Sequence, residues 1–213
     1  RDVFQFETAD HIADFTRRNG LALRGHTLAW YGAMPEWTNA IATAREAERE
    51  LVTHIQTVVS RYRDVVSSWD VVNEPVPDRP AHVSDLRPSV WTRCLGDSYI
   101  ATAFRAAAAV DPTATLVLNE YDVEFVGGRF KSRRDSLRHI LRQLLDQGVP
   151  VHAVGLQGHL FAERAIDRDG LQAFLSEVKS WGLKILITEL DVVDKTLPTM
   201  EAERDRLVAL KVD

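Results

Sequence analysis

Five short apolar runs recur along the chain, at residues 21–30, 65–74, 113–120, 151–160 and 183–191, and each closes on polar or ionisable residues. Their interiors are β-branched and nearly continuously apolar, which predicts strands buried on both faces, as in a parallel sheet. The stretches between them carry helical spacing. Residues 40–62 set Ile41, Leu51, Ile55, Val58 and Val59 on one face among Glu and Arg. Residues 89–110 end in an alanine-rich run before Asp111-Pro112, a stop signal. Residues 137–147 and 171–181 end at Gly148 and Gly182, and further helical patterns occupy 9–19, closed by Gly20, and 199–209. The predicted order is a helix, then strand and helix five times over. This is an α/β chain with a parallel sheet. No Pro/Gly/Ser-rich linker divides it, so residues 1–213 read as a single domain, with the proline-rich stretch 75–88 as a long loop after the second strand.

Barrel and doubly wound sheet are separated by the strand ends. A nucleotide-binding sheet needs a glycine-rich turn after a strand, and the adjacent pair Gly127-Gly128 forms neither known pattern. Every run instead ends in chemistry: His26 and Trp30, Asn73 and Glu74, Asn119 and Glu120, Gln157 and His159, Glu189 and Asp191. Active residues from the C-terminal ends of several successive strands are the habit of the TIM (β/α)8 barrel. A full barrel has eight strands in about 250 residues. Five are recognisable here, so a partial barrel, cut at both ends, is expected.

Composition narrows the function classes. A net charge of −5 without clustered Lys and Arg excludes a nucleic-acid footprint. The apolar stretches are too short to span a bilayer, and the opening residues lack the basic and apolar regions of a secretory signal. One cysteine, Cys94, allows no internal disulfide. No short ligand-spacing motif suggests a metal, and no cofactor is expected.

Hydrolysis of a glycoside with retention needs two carboxyl groups about 5–5.5 Å apart, one protonating the leaving group and one attacking. Glu74, in Trp69-Asp70-Val71-Val72-Asn73-Glu74-Pro75, and Glu189, in Ile187-Thr188-Glu189-Leu190-Asp191, both follow apolar strands, where a carboxylate has no packing reason to be. Spacing alone leaves Glu120 and Glu124 as competitors.

Local sequence separates them. Asn-Glu closing one strand, with Glu closing another three strands later, resembles the clan of retaining glycosidases with glutamates on barrel strands four and seven. Gly25-His26-Thr27-Leu28-Ala29-Trp30, the 69–74 segment, Leu118-Asn119-Glu120-Tyr121, Gly155-Leu156-Gln157-Gly158-His159-Leu160 and residues 187–191 resemble, in order, the strand-three to strand-seven motifs of glycoside hydrolase family 10. In this register, strands one, two and eight would lie outside the chain.

The resemblance implies an endo-acting β-1,4-xylanase. Glu74 would be the general acid and then base, and Glu189 the nucleophile. Asn73 would bond the sugar 2-hydroxyl, and Asn119 belongs to the strand-five motif. His159 would hold Glu189, oriented by Asp191; His26, Trp30 and Gln157 would line the non-reducing side; Tyr121 would stack across the cleavage point. The implied partner is xylan or its oligosaccharides, for a monomer that is secreted or periplasmic. Three positions depart from the commonest family form: Tyr31 stands for histidine, Ala33 for glutamine and Asp122 for asparagine. A cellulase of the same clan and a non-catalytic carbohydrate-binding remnant are the alternatives.

Overall fold

The computed structural model describes residues 3–212; Arg1, Asp2 and Asp213 lie outside them. Five parallel strands form the sheet: β1 (Leu23–Ala29), β2 (Val66–Asn73), β3 (Thr115–Glu120), β4 (Ala153–Leu156) and β6 (Lys184–Ile187), in the order β1-β2-β3-β4-β6. Helices α1 (Glu7–Asn19), α2 (Ala44–Tyr62), α3 (Val90–Leu95), α4 (Ser98–Val110), α5 (Gly128–Asp146), α6 (Arg168–Ser180) and α7 (Glu201–Val212) intervene. This is an arc of a TIM barrel, with β1 and β6 at its two ends.

Helix boundaries follow their caps. The Thr43 side chain accepts from the Glu46 amide at 3.2 Å and starts α2, so the predicted helix from residue 40 begins later; residues Glu36–Ala40 form a 3-10 turn instead. Helix α2 buries Ala47, Leu51, Ile55, Val59 and Tyr62, one stripe at helical spacing. The predicted helix at 89–110 is two helices. Ser89 and Thr92 cap α3 reciprocally, and Gly96, at φ +63, breaks it before α4. Helix α5 starts at Gly128, well ahead of the apolar pattern at Leu137. Its first turns bury Arg133 and Arg134 in place of apolar residues.

Two of the predicted strands are split. β5 (His159–Phe161) and β7 (Asp191–Val193) leave the barrel sheet and pair with each other in parallel, with His159 opposite Asp191. The core lies between sheet and helices. Leu116, Leu118, Leu137, Leu141 and Phe174 are fully buried there. Gly25 lets the arc close tightly, because a Cβ at that position would fall 2.0 Å from the Trp69 ring.

Candidate active site

The C-terminal strand ends converge on one rim, and a shift in register decides what faces it. Ser68 and Asp70 point into the arc, where they accept from Arg24 at 3.0 and 2.6 Å. A period of two would carry that face on to Val72 and turn Asn73 away. Irregularities between Asp70 and Val72, and between His26 and Ala29 on the neighbouring strand, shift the phase. Asn73 then comes onto the inner face beside Glu74.

The two glutamates belong to one network of amides. Glu74 Oε1 accepts from Asn73 Nδ2 at 3.2 Å and from Gln157 Nε2 at 3.0 Å, while Oε2 accepts from the Trp30 indole at 3.1 Å. Asn119 Nδ2 donates both to Asn73 Oδ1 at 2.9 Å and to Glu189 Oε1 at 2.8 Å. The Thr188 hydroxyl donates to Asn119 Oδ1 at 2.8 Å, and the Glu189 carboxylate, which can only accept, settles which way that amide points. Backbone bonds tie the same rim, from the Glu74 amide to Asn119 O and from the Glu189 amide to Gln157 O, both 2.9 Å. Asn73, Asn119 and Gln157 are buried, whereas both glutamates remain partly accessible. Two carboxylates face a shared polar floor whose donors leave each with lone pairs to spare.

His159 lies between two carboxylates. Nε2 is 3.3 Å from Glu189 Oε2 and Nδ1 is 3.0 Å from Asp191 Oδ1, a setting in which the protonated ring can donate to both. Burial opposes its charge, but Asp191 and then Glu189 prevail and raise its pKa above 6.5. Stability from this raised group is complete below pH 6.5 and is lost as pH climbs through the higher folded value. Asp191→Asn should lower the His159 titration midpoint, followed by imidazole resonances in NMR. An unchanged midpoint would show that Asp191 does not govern this charge.

His26 is exposed on β1, its Nδ1 3.1 Å from Asp70 Oδ2, and that hydrogen bond raises its pKa against desolvation. His26 and Trp30 open onto a cavity of about 450 Å3 shared with Trp37 and His54, which adjoins the glutamates without including them. His54 is partly buried there, stacked 6.2 Å from Phe4, and burial lowers its pKa. Tyr121 stands apart from the amide network. Its phenol donates to Asp78 and accepts from Arg87 at 2.8 Å. Tyr31 packs edge-on to Trp30 at 5.6 Å, and Asp122 is buried against Arg129.

Glu120 and Glu124 sit away from the rim. Glu120 is fully buried and accepts from Arg133 at 2.6 Å, the Val76 amide at 2.9 Å and the Tyr121 amide at 3.0 Å. Burial pushes its pKa up to about 7, with Arg133 and the two amides opposing. Glu124 accepts from the Val123 amide. Thr188 and Asp70 complete the site; Asp70, an acid inside an apolar strand, carries a visible signal in the sequence, and Thr188 carries none. Among the described residues no group of three His, Cys, Asp or Glu is arranged to hold a metal ion.

The model for glycosyl hydrolase family 10 matches residues 1–211. Endo-1,4-beta-xylanase B of Paenibacillus barcinonensis is 35% identical over 212 residues, covering 93% of this chain and 61% of its own length. Endo-1,4-beta-xylanase C of Phanerodontia chrysosporium is 37% identical over 201 residues, covering 94% and 48% respectively. Xylanase 10B from Thermotoga petrophila RKU-1, solved in complex with xylobiose, superposes with a TM-score of 0.87 at 31% identity, over 99% of this chain and 63% of that one. The chain thus spans less than two thirds of the length of these relatives. With a family match over nearly all its residues and a barrel arc that superposes on solved members, the chain belongs to glycosyl hydrolase family 10.

Proposed function

We propose that the chain is a single catalytic domain, partial as a barrel, that cleaves internal β-1,4-xylosidic bonds of xylan with retention, using Glu74 as acid/base and Glu189 as nucleophile. The observation that carries this reading is the amide network joining the two carboxylates through Asn73 and Asn119. Relatives named endo-1,4-beta-xylanases and the xylobiose complex of a structural neighbour support the choice of substrate.

In the first step Glu189 attacks the anomeric carbon as Glu74 gives its proton to the glycosidic oxygen. The bond to the departing sugar breaks, and a glycosyl ester forms on Glu189. Glu74, now a carboxylate, then takes a proton from water. The hydroxide equivalent attacks the same carbon and frees Glu189. Asn73 is the candidate for the sugar 2-hydroxyl, His26, Trp30 and Gln157 for the non-reducing side, and Tyr121 for the sugar across the cleavage point. His159 and Asp191 keep the nucleophile charged and oriented. No cofactor is needed. A polymer cannot cross a membrane, so we infer action outside the cell or in the periplasm.

The test is release of new reducing ends from soluble xylan and from carboxymethylcellulose, with the first-formed anomer read by NMR. Release from xylan as the β-anomer is expected. A first-formed α-anomer would rule out retention, and greater release from the cellulose derivative would make the substrate a glucan. Asn119 supplies a second check. A Cβ on Gly155 would lie 2.2 Å from Asn119 Oδ1 and 3.0 Å from Thr188 Cγ2. Gly155→Ala should cost ~1–3 kcal/mol of stability and lower kcat/KM roughly 100-fold through the displaced amide. Denaturant unfolding and initial rates read both, and wild-type values would show that Asn119 does not need that space.

A further inference from the structure

Glu74 sits in an unusual backbone setting. Its φ is +55, in the left-handed region, and Pro75 follows it. A non-glycine residue rarely adopts that conformation, and a residue before proline is driven toward extended backbone. The surrounding structure must therefore hold it. Three successive carbonyl oxygens at this point, those of Glu74, Pro75 and Val76, all accept from a single residue, Arg87. Nε donates to Glu74 O at 3.0 Å, the Arg87 amide to Pro75 O at 2.7 Å, and Nη2 to Val76 O at 2.8 Å. Nη2 also lies 3.0 Å from Asp78 Oδ1 and 2.8 Å from the Tyr121 hydroxyl, and the guanidinium carbon is 4.5 Å from the Tyr31 ring. The side chain is only 11% exposed.

We propose that Arg87 is a positioning residue for the acid/base glutamate: it clamps the Glu74–Val76 backbone so that the Glu74 carboxyl stays on Trp30 and Gln157 and aims its proton at the glycosidic oxygen. This rests on the reading of Glu74 as the acid. The clamp needs two donors at fixed separation in one plane, which a guanidinium has and an ammonium lacks. Tyr31, Tyr121 and Asp78 hold the guanidinium from the outer side of the loop.

Proton delivery matters in proportion to how poor the leaving group is, so a misaimed Glu74 leaves a signature that general loosening does not. Arg87→Met and Arg87→Lys are compared with the unaltered chain and with Glu74→Ala on phenyl and dinitrophenyl β-xylobiosides. The dinitrophenolate leaves without a proton; the phenolate does not. Both Arg87 variants should lose roughly 100-fold in kcat/KM on the phenyl substrate and far less on the dinitrophenyl one, with Glu74→Ala showing the same split more strongly. Equal losses on both substrates, or no loss, would overturn the proposal. A Glu74→Ala chain without the split would instead remove Glu74 as the acid, whatever Arg87 does. A second readout needs no turnover. The Trp30 indole N–H donates to Glu74, so its resonance in a nitrogen–proton spectrum should move in both Arg87 variants, and a resonance that stays in place overturns the clamp.

Discussion

Replacing Glu189 with alanine is expected to lower kcat on xylan roughly 10^5-fold, about 7 kcal/mol of transition-state stabilisation. On the proposed mechanism the attacking oxygen is then gone, and neither Asn119 nor His159 can substitute, since both face the carboxylate as donors. Azide makes the result specific to the role. In the space left by the Glu189 side chain, azide can reach the anomeric carbon of an activated aryl xylobioside directly and give the inverted α-xylosyl azide. In Glu74→Ala the ester on Glu189 still forms from such a substrate, and azide should release it as the β-azide. Product stereochemistry by NMR reads both variants. If the two products are exchanged, the roles of the glutamates are exchanged; an active Glu189→Ala chain would end the double-displacement reading.

Arg133→Met should destabilise the fold by roughly 3–5 kcal/mol, a fall in Tm of about 10 °C or more for a domain of this size. Arg133 is fully buried and is paired with the equally buried Glu120. It also donates to Pro77 O at 2.6 Å and Tyr121 O at 3.1 Å. Methionine fills much of the volume but strands a carboxylate and two carbonyls without water. Most of the loss should return in Glu120→Gln/Arg133→Met, because the stranded charge is then removed. The sign of the pH dependence is defined. Glu120 has a folded pKa raised from 4.5 to about 7, and losing Arg133 raises it further. Stability from such a group is complete below pH 4.5 and is lost as pH rises through the folded value. The unfolded value is common to both chains, so the deficit of Arg133→Met should shrink on acidification to about pH 7 and level off below it. Denaturant midpoints at several pH values test this, and a deficit independent of pH would mean that Glu120 carries no charge in the folded state.

Much of this was legible in the chain. The five strands and the intervening helices follow from local apolar periodicity. The barrel followed from polar residues at every strand end. Legibility stopped where burial was polar. Helix α5 begins at Gly128, but its first buried residues are Arg133 and Arg134; a hydrophobic pattern cannot register an arginine that is inside because a carboxylate and several carbonyls wait for it. The β5–β7 pair escaped for a related reason. Its strands are three residues each, and nothing within either predicts the other.

The sequence by itself determined the alternation of elements, the order of the strands and which strand ends carry carboxylates, amides and imidazoles, since these depend on the burial of each segment against its own neighbours. The tertiary structure decided the rest. The phase shift after Asp70 turned Asn73 inward, the pairing of β5 with β7 set His159 opposite Asp191, and Arg87 and Arg133 closed on carbonyls 11 to 56 residues earlier in the chain. Those features depend on hydrogen bonds between residues distant in sequence, whose register is set only once the strands have been brought together.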